Sequence, residues 1–334
     1  MFASVKALLT GIIDYAGMFP PAKQPLDQAI RNYARYRTEP ESWMLGRFIC
    51  PAARLGELAH YLEELFLARP PFKISALGGR CNTVSEFVTN LRADLKIVNN
   101  FHESHMKFAA VDVYEVRMPD DFVGSNQQEQ ITLLSQLDNQ SAQIIDLGAP
   151  TDFSIYFEVP FCQGWRQTIG AFGPIRRIGR LADGRDFIQA DPSPRGIKIR
   201  CGGLEASAFP SPEEVAGAIT SCRDKSMPLK ATAGLHHPMR HFDPGVQAKM
   251  HGFLNVFTAG VLTFANRLTE IQAIIEDEDP KNFVFDDEGL RWKTHRARTA
   301  QIAAARREFI TSFGSCSFDE PREDLRALGL LPEK

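Results

Sequence analysis

Two stretches of sequence decide the predicted fold: residues 196–203 read GIKIRCGG, and residues 228–238 read PLKATAGLHHP. Each contains a short, strand-like run with alternating apolar residues that ends at glycine, which is typical of a buried strand. Residues 209–225, FPSPEEVAGAITSCRDK, lie between them and begin like a helix, because Ser211 can cap it with Pro212 at its first position. This order predicts a βαβ unit with parallel strands.

The same alternation of strand and helix runs through most of the chain. Eight candidate strands recur at a mean spacing of about 34 residues, the size of one βα unit. They begin near Gly11, Leu45, Phe72, Phe108, Ser154, Gly196, Pro228 and Gly252. Eight such units predict an α/β fold, a single (β/α)8 barrel of the TIM type. The segment that starts at Gly252 is also compatible with one continuous buried helix.

The pattern changes after the acidic run 276–280. Residues 282–292, NFVFDDEGLRW, predict a β-hairpin, and helices are expected over 294–313 and 322–331. We therefore assign residues 1–275 to the barrel and residues 276–334 to a C-terminal extension packed on it. The loop 313–321, FGSCSFDEP, either folds over the barrel mouth as a lid or packs against the barrel end.

Composition and charge exclude several classes of protein. The 334 residues are 44% hydrophobic and 24% charged, which is unlike disordered, collagen-like or coiled-coil chains. A formal net charge of −3 gives no basic footprint for nucleic acid. No stretch is long and apolar enough for a membrane helix or a secretory signal, and the six cysteines fit reduced thiols. We expect a soluble cytoplasmic protein that binds neither nucleic acid nor membrane, and a homo-oligomer is left open.

Strand alternation places charged side chains inside the predicted barrel. Interiors of such barrels are ordinarily filled by Val, Ile and Leu, so inward polar residues near the strand ends indicate a site. In the sixth strand Ile197 and Ile199 face the helices, which turns Lys198 and Arg200 inward. The same argument turns inward Lys230 and Thr232 of the seventh strand, Tyr156 and Glu158 of the fifth, and Asp14 and Arg47 of the first two.

Lys198 and Lys230 lie one unit apart, so we expect their amines to enter one cavity from adjacent strands. Two ammonium groups repel each other and burial disfavours charge, so the pKa of one lysine should be lowered. A neutral lysine can form a Schiff base with a carbonyl compound, and Glu158 could then transfer protons. Alternatively, each lysine forms an ion pair with Glu158 or Asp14 and only stabilises the barrel.

The segments IKIRCGG and LKATAGLHHP resemble the lysine motifs on the sixth and seventh strands of deoxyribose-phosphate-aldolase-like class I aldolases, K-T-S-T-G-F and K-A-S-G-G-I. The resemblance covers about 40 residues. It implies that Lys198 forms the Schiff base and that Lys230 lowers the pKa of Lys198. The sequence departs from the motifs at Arg200 and Cys201, where the family has small hydroxyl residues. Asp112 is the candidate for the aspartate of that family.

Histidines follow the seventh strand, at positions 236, 237 and 241. In one interpretation His236 or His237 is a general acid or base and Arg240 contacts an anion. In a second, His236, His237, His241 and Glu158 bind a divalent metal ion. In a third, the histidines only hydrogen-bond the backbone of their loop. Because the spacing matches no standard metal motif, we expect no cofactor.

Arginines and glycines near strand ends predict a site for a small anionic substrate. Glycines at these positions can present backbone N–H groups to an anion, although plain turns also use them. The expected substrate contacts are Asp14, Arg47, Arg80, Arg200, Gly202, Gly203, Thr232, Gly234, Arg240 and Asn255. Cys316 is not expected to be a nucleophile, because no basic partner for it can be identified.

Together these features predict an enzyme, a lyase or aldolase that acts on a small anionic carbonyl or sugar-type substrate through a Schiff base. The expected catalytic residues are Lys198, Lys230, Glu158, His236 and His237. Two alternatives stay open. One is a metal-dependent hydrolase, isomerase or lyase that uses the histidine cluster, and the other is a barrel that binds a small molecule without catalysis.

Overall fold

A computed structural model describes residues 1–66, 70–134, 153–172 and 195–333, together with the backbone of strands 176–180 and 186–190. Eight parallel strands close into a barrel, each paired with the next along the chain and the last with the first. They are β1 (Ile13–Tyr15), β2 (Leu45–Pro51), β3 (Phe72–Leu77), β4 (Ala109–Arg117), β5 (Ser154–Glu158), β8 (Arg195–Arg200), β9 (Leu229–Thr232) and β15 (Ile310–Ser315). The predicted (β/α)8 barrel is confirmed.

Three small antiparallel sheets lie outside the barrel. They are the hairpin of β6 (Arg176–Arg180) and β7 (Asp186–Ala190), the hairpin of β10 (His241–Asp243) and β11 (Ala248–Met250), and the sheet of β12 (Phe283–Phe285), β13 (Gly289–Trp292) and β14 (His295–Arg298). The pairing of β12 with β13 confirms the hairpin predicted over residues 282–292.

Helices surround the barrel strands. They are α1 (Ala3–Leu9), α2 (Leu26–Tyr36), α3 (Leu55–Ala59), α4 (Leu62–Phe66), α5 (Val84–His105), α6 (Asp120–Val123), α7 (127–134), α8 (Trp165–Ala171), α9 (Pro212–Asp224), α10 (Phe253–Asn266), α11 (Ile271–Glu276), α12 (Thr299–Glu308) and α13 (Asp319–Ala327). Helix α9 begins as its sequence predicts, since Ser211 Oγ accepts a hydrogen bond from Glu214 N at 3.1 Å. Within the described ranges, none of these helices has the length and apolar character needed to cross a membrane.

The strand predicted near Gly252 is wrong. Residues Phe253–Asn266 form α10, and the eighth barrel strand is instead Ile310–Ser315. Helix α10 is buried on every side up to Thr263, so its apolar residues have no period that separates a helix from a strand. It packs so closely on β15 that a Cβ atom at Gly260 would lie 2.5 Å from Ile310 Cδ1.

The predicted domain boundary at residue 275 also needs correction. The barrel closes with β15, which lies in the segment assigned to the extension. The helix expected over 294–313 divides into β14, α12 and β15. The loop proposed as a lid, residues 313–321, begins inside β15 and ends in α13, so most of it belongs to regular structure.

An extra residue in β4 determines which of its side chains face the barrel interior. Ile74 of β3 pairs with Val111, but Ser75 pairs with Val113, so Asp112 forms a β-bulge. Beyond the bulge the two faces exchange, because side chains alternate with a period of two. Tyr114 therefore reaches the helix layer, where its hydroxyl donates a hydrogen bond to Asp94 at 2.7 Å. Glu115 faces the interior.

Candidate active site

A cavity of about 350 Å³ lies at the carboxyl ends of the barrel strands. TIM-barrel enzymes place their active sites at this end, built from the loops that follow the strands. Its size suits a small molecule, and the polar groups in its wall are mostly charged. The ionisable side chains that line it are Arg80, Glu115, Arg117, Glu158, Lys198, Arg200, His236 and Cys316.

Glu115 connects the two lysines. Its Oε2 atom lies 2.7 Å from Lys198 Nζ, and its Oε1 atom forms an ion pair with Lys230 Nζ. A second carboxylate contacts each lysine: Glu158 Oε2 is 3.0 Å from Lys198 Nζ, and Asp14 Oδ2 is 2.6 Å from Lys230 Nζ. The strands explain this arrangement, because β8 and β9 pair Lys198 directly with Lys230. Two ammonium groups and three carboxylates thus form one buried cluster.

Both lysines are stabilised in the charged form. Burial lowers the pKa of Lys198, but Glu115 and Glu158 outweigh burial and raise it. Burial likewise lowers the pKa of Lys230, and Asp14 and Glu115 raise it further than burial lowers it. Burial raises the pKa of Glu115, yet the two ammonium groups bring it well below its usual range. The prediction that one lysine has a lowered pKa is wrong, because it did not include the negative charge of Glu115, which lies beside both lysines.

Several predicted site residues line the cavity, and two important ones lie beneath it. The lining residues are Lys198, Glu158, His236, Arg80, Arg200, Gly203, Thr232 and Gly234. Lys230 and Asp14 are almost completely buried in the barrel interior and do not reach the cavity. Asp14 accepts hydrogen bonds from Ser312 Oγ at 2.7 Å and from Arg47 N at 2.6 Å. It is therefore a partner of Lys230 and not a wall residue of the cavity.

Arg47 lies at the opposite end of the barrel from its predicted position. It binds Asp112 with two hydrogen bonds, Nε to Oδ1 at 2.7 Å and Nη2 to Oδ2 at 2.9 Å. Lys73 Nζ also contacts Asp112 Oδ2, at 2.8 Å. Arg47 and Lys73 line a separate cavity at the amino ends of the strands. Asp112, the candidate for the aspartate of the aldolase family, therefore pairs with Arg47 and Lys73 and not with Lys198 or Lys230. The carboxylate that lies between the two lysines is Glu115.

Asn255 and Arg240 stabilise the connection between β9 and α10. Asn255 is completely buried, and its side chain accepts a hydrogen bond from Arg240 N at 2.9 Å. The same amide donates to the carbonyl oxygens of Ile274 and Asp277, at 2.8 and 2.7 Å. The Arg240 guanidinium lies 3.1 Å from His251 Nδ1. Neither residue lines the cavity, so the structure does not bring the predicted substrate contacts Asn255 and Arg240 together with the other site residues.

Gly202 also lies outside the cavity wall, and its role is in packing. It faces Gly234, and a Cβ atom on Gly234 would lie 2.7 Å from Gly202 Cα. Gly234 also has a positive φ of 69°, which disfavours other residues. The two glycines thus allow the loops after β8 and β9 to approach each other closely.

The histidines after β9 have separate partners. His236 Nδ1 lies 3.2 Å from Glu320 Oε2, and His237 Nδ1 lies 2.6 Å from Asp324, both on α13. His241 packs edge-on against His237, with ring centroids 4.6 Å apart. His237 does not line the cavity. In the part of the chain that the structure describes, no three His, Cys, Asp or Glu side chains are arranged to bind a metal ion. The predicted metal set is therefore not brought together.

Sequence reasoning missed three of the ionisable residues that line the cavity. Glu115 and Arg117 were missed because the bulge at Asp112 reverses the alternation in β4. Cys316 was set aside for lack of a basic partner, whereas the structure places its Sγ atom 4.0 Å from His236 Nδ1. Cys316 could have been predicted only if the strand that ends at Ser315 had been recognised, since that strand places Cys316 at the carboxyl end of the barrel. The sequence pattern did not reveal this strand.

No protein-family model and no curated protein matches the chain. A barrel of this type supports many unrelated activities, so the fold by itself does not assign one. The function must therefore be inferred from the cavity and its side chains.

Proposed function

We propose that this protein is an enzyme of the lyase or aldolase class, which breaks or forms a carbon–carbon bond beside the carbonyl group of a small anionic substrate. Lys198 would bind the substrate as a Schiff base. The observation that supports this proposal is the position of Lys198 Nζ in the cavity wall, 2.7 Å from Glu115 and 3.0 Å from Glu158. Lysine is the side chain that forms Schiff bases with carbonyl compounds.

The two carboxylates supply what such a reaction needs. Lys198 carries a proton at rest, so it must lose that proton before its amine attacks the carbonyl carbon. Glu158 is close enough to accept the proton, at 3.0 Å. After water has left, the positive charge of the iminium ion lies beside Glu115, which stabilises it. The iminium group accepts the electron pair of the breaking carbon–carbon bond, and the other fragment leaves as a carbonyl compound when its hydroxyl group loses a proton to Glu158. Glu158 or His236 then gives a proton to the enamine carbon, and water releases the product from Lys198.

Arginines in the cavity wall favour an anionic substrate. Arg80 has no carboxylate partner within the described ranges. Arg200 is half exposed, and its nearest carboxylate oxygen, on Glu158, is 3.9 Å away. Arg117 forms an ion pair with Asp120 at 2.7 Å. Arg80 and Arg200 can therefore bind a carboxylate or phosphate group, which guanidinium groups recognise through paired hydrogen bonds.

A second candidate reaction uses the same residues without a covalent bond, and the raised pKa of Lys198 favours it. A permanent ammonium group can donate a hydrogen bond to the substrate carbonyl oxygen and stabilise an enolate. Glu158 would then remove a proton from the carbon next to that carbonyl group. This reaction is an isomerisation or an elimination.

Reduction with borohydride separates the two candidates. The protein is incubated with small aldehydes and ketones that carry a carboxylate or a phosphate, and turnover is measured for each. Borohydride is then added, and any adduct is located by peptide mass spectrometry. We expect an adduct on Lys198 in the wild type and in Lys230→Arg, and none in Lys198→Arg, which keeps the charge.

Each other result has a defined meaning. Turnover without any lysine adduct would overturn the Schiff base and favour the non-covalent reaction. Loss of turnover in chelator, with restoration by a divalent metal ion, would favour the metal-dependent alternative. Tight binding of an anionic ligand without turnover of any compound would favour a binding protein.

A further inference from the structure

Cys316 and His236 form a second pair of ionisable groups in the cavity. Cys316 directly follows β15, and His236 lies four residues after the end of β9, the strand that pairs with β15. The Sγ atom of Cys316 is 4.0 Å from Nδ1 of His236. Both residues line the cavity that contains Lys198. The thiol is 8% exposed, so the cavity is its route to small molecules.

The surroundings favour a positive charge on His236. Glu320 Oε2 lies 3.2 Å from the same Nδ1 atom, and Ser317 Oγ holds Glu320 in place by accepting a hydrogen bond from its backbone N at 3.1 Å. Burial lowers the pKa of His236, but Cys316 and Glu320 outweigh it and raise the pKa to about 9. Tyr15 also faces the thiol, and burial raises its pKa, so it stays neutral. A thiol beside an imidazolium ion is readily deprotonated.

None of the other cysteines in the described ranges has a histidine beside its sulfur atom, and the Sγ atom of Cys81 contacts Gly79 O at 3.6 Å and Asn90 Nδ2 at 3.3 Å. Cys50 and Cys201 are buried, and burial raises the pKa of each to about 12. Burial also raises the pKa of Cys222. Cys162 is exposed, and its pKa is raised as well. Cys162 therefore reports general changes in accessibility, and a short unstructured cysteine peptide in the same solution is the reference for an ordinary thiol.

We propose that Cys316 is a nucleophile of this cavity, assisted by the charged imidazolium group of His236, and that it reacts reversibly with small anionic aldehydes. The thiol proton leaves to water, and the sulfur forms a bond to the aldehyde carbon. The π electrons of the carbonyl group move to its oxygen, which takes a proton from the His236 imidazolium ion, and His236 then regains a proton from water. The product is a hemithioacetal, and nothing is oxidised or reduced. This reaction needs the cavity and its arginines but not Lys198, so it does not depend on the proposed function.

Alkylation with limiting iodoacetate at pH 7 tests the proposal on the intact protein. The reagent is anionic and reacts with the thiolate by displacement of iodide, and peptide mass spectrometry gives a rate for each cysteine. At pH 7 an ordinary cysteine is only a few per cent thiolate, so a thiol that is mostly thiolate reacts roughly tenfold faster than an ordinary one. We expect Cys316 to react about tenfold faster than the cysteine peptide, and a small aldehyde with a carboxylate group to protect it. We expect His236→Asn to remove most of that difference while the rate at Cys162 stays unchanged.

The proposal is overturned if Cys316 reacts no faster than the cysteine peptide, or if His236→Asn leaves its rate unchanged. The milder variant Glu320→Gln keeps the imidazole, and we expect it to slow Cys316 by a smaller factor. Neutral iodoacetamide tests the arginines, since Arg80→Ala should slow the reaction of Cys316 with iodoacetate but not with iodoacetamide. Lys198→Arg separates this inference from the Schiff base: it abolishes the borohydride adduct and should leave the Cys316 rate unchanged.

Discussion

Replacement of Glu115 by glutamine tests the charge cluster at the centre of the barrel. The variant keeps the shape of the side chain and its contact with Ser75 Oγ, which is 2.5 Å from Oε1, but removes the charge that faces both lysines. A hydrogen bond to a charged group contributes about 1.5–3 kcal/mol, and breaking a buried ion pair costs about 3–5 kcal/mol. Lys198 and Lys230 each keep one other carboxylate, so we expect a loss near the lower end, about 3 kcal/mol.

The free energy of unfolding is measured by urea titration at several pH values. The folded-state pKa of Glu115 lies below its unfolded value of about 4.3, so its contribution is present above that pH and is lost as the pH falls. The lysines have raised folded-state pKa values, so their contribution is present up to about pH 10 and is lost only above it. The difference between wild type and variant should therefore be constant between about pH 5 and pH 10 and should shrink in acid.

Glu213→Gln is the matched control, because Glu213 is 74% exposed and its ion pair with Arg166 is 3.3 Å long. We expect that substitution to cost less than about 1 kcal/mol. A loss below about 1 kcal/mol for Glu115→Gln would refute the reasoning, since a buried charge with two partners cannot be removed so cheaply. A difference that is equal at pH 3 and pH 7 would also refute it, because the effect would then not be electrostatic.

Three further predictions concern other parts of the molecule. Gly234→Ala should lower the free energy of unfolding by about 1–3 kcal/mol in the same urea titration, because Gly234 has a positive φ and lies against Gly202. Gly56→Ala is the control: a Cβ atom at Gly56 would have no other atom within 4 Å, so that substitution should change the free energy of unfolding by less than about 1 kcal/mol. Arg47→Met should destabilise the protein but leave its affinity for an anionic ligand within about twofold, whereas Arg200→Met should weaken that affinity about tenfold. Both affinities are measured by calorimetry. The reverse pattern would place the anion site at the amino ends of the strands. The pKa of His236 is raised, so its stabilising contribution is full below about pH 6.5 and is lost as the pH rises through about 9. The melting temperatures of wild type and His236→Asn should therefore differ at pH 6 and converge at pH 10. An equal difference at both pH values would contradict a charged His236.

The two lysine strands illustrate what could be predicted from local sequence. Alternation alone placed Lys198, Arg200 and Thr232 inside the barrel, and all three line the cavity. Helix α9 could be located from its capping residues for the same reason, since a cap depends on neighbours only a few residues away. The eighth strand could not be located, because α10 is apolar on every side and β15 contains the polar residues Thr311, Ser312 and Ser315, so neither segment has a periodicity that identifies it.

The sequence by itself thus determined the barrel class, seven of its eight strands and the inward direction of the lysines, because these properties depend on short-range periodicity. Only the tertiary structure decided which charges meet. Glu115 reaches the lysines because one extra residue in β4 exchanges the two faces of that strand. His236 and Cys316 meet because β9 and β15 are neighbours in the closed barrel, although 80 residues separate them in the chain. Such contacts depend on strand pairing between distant segments, which no local pattern records.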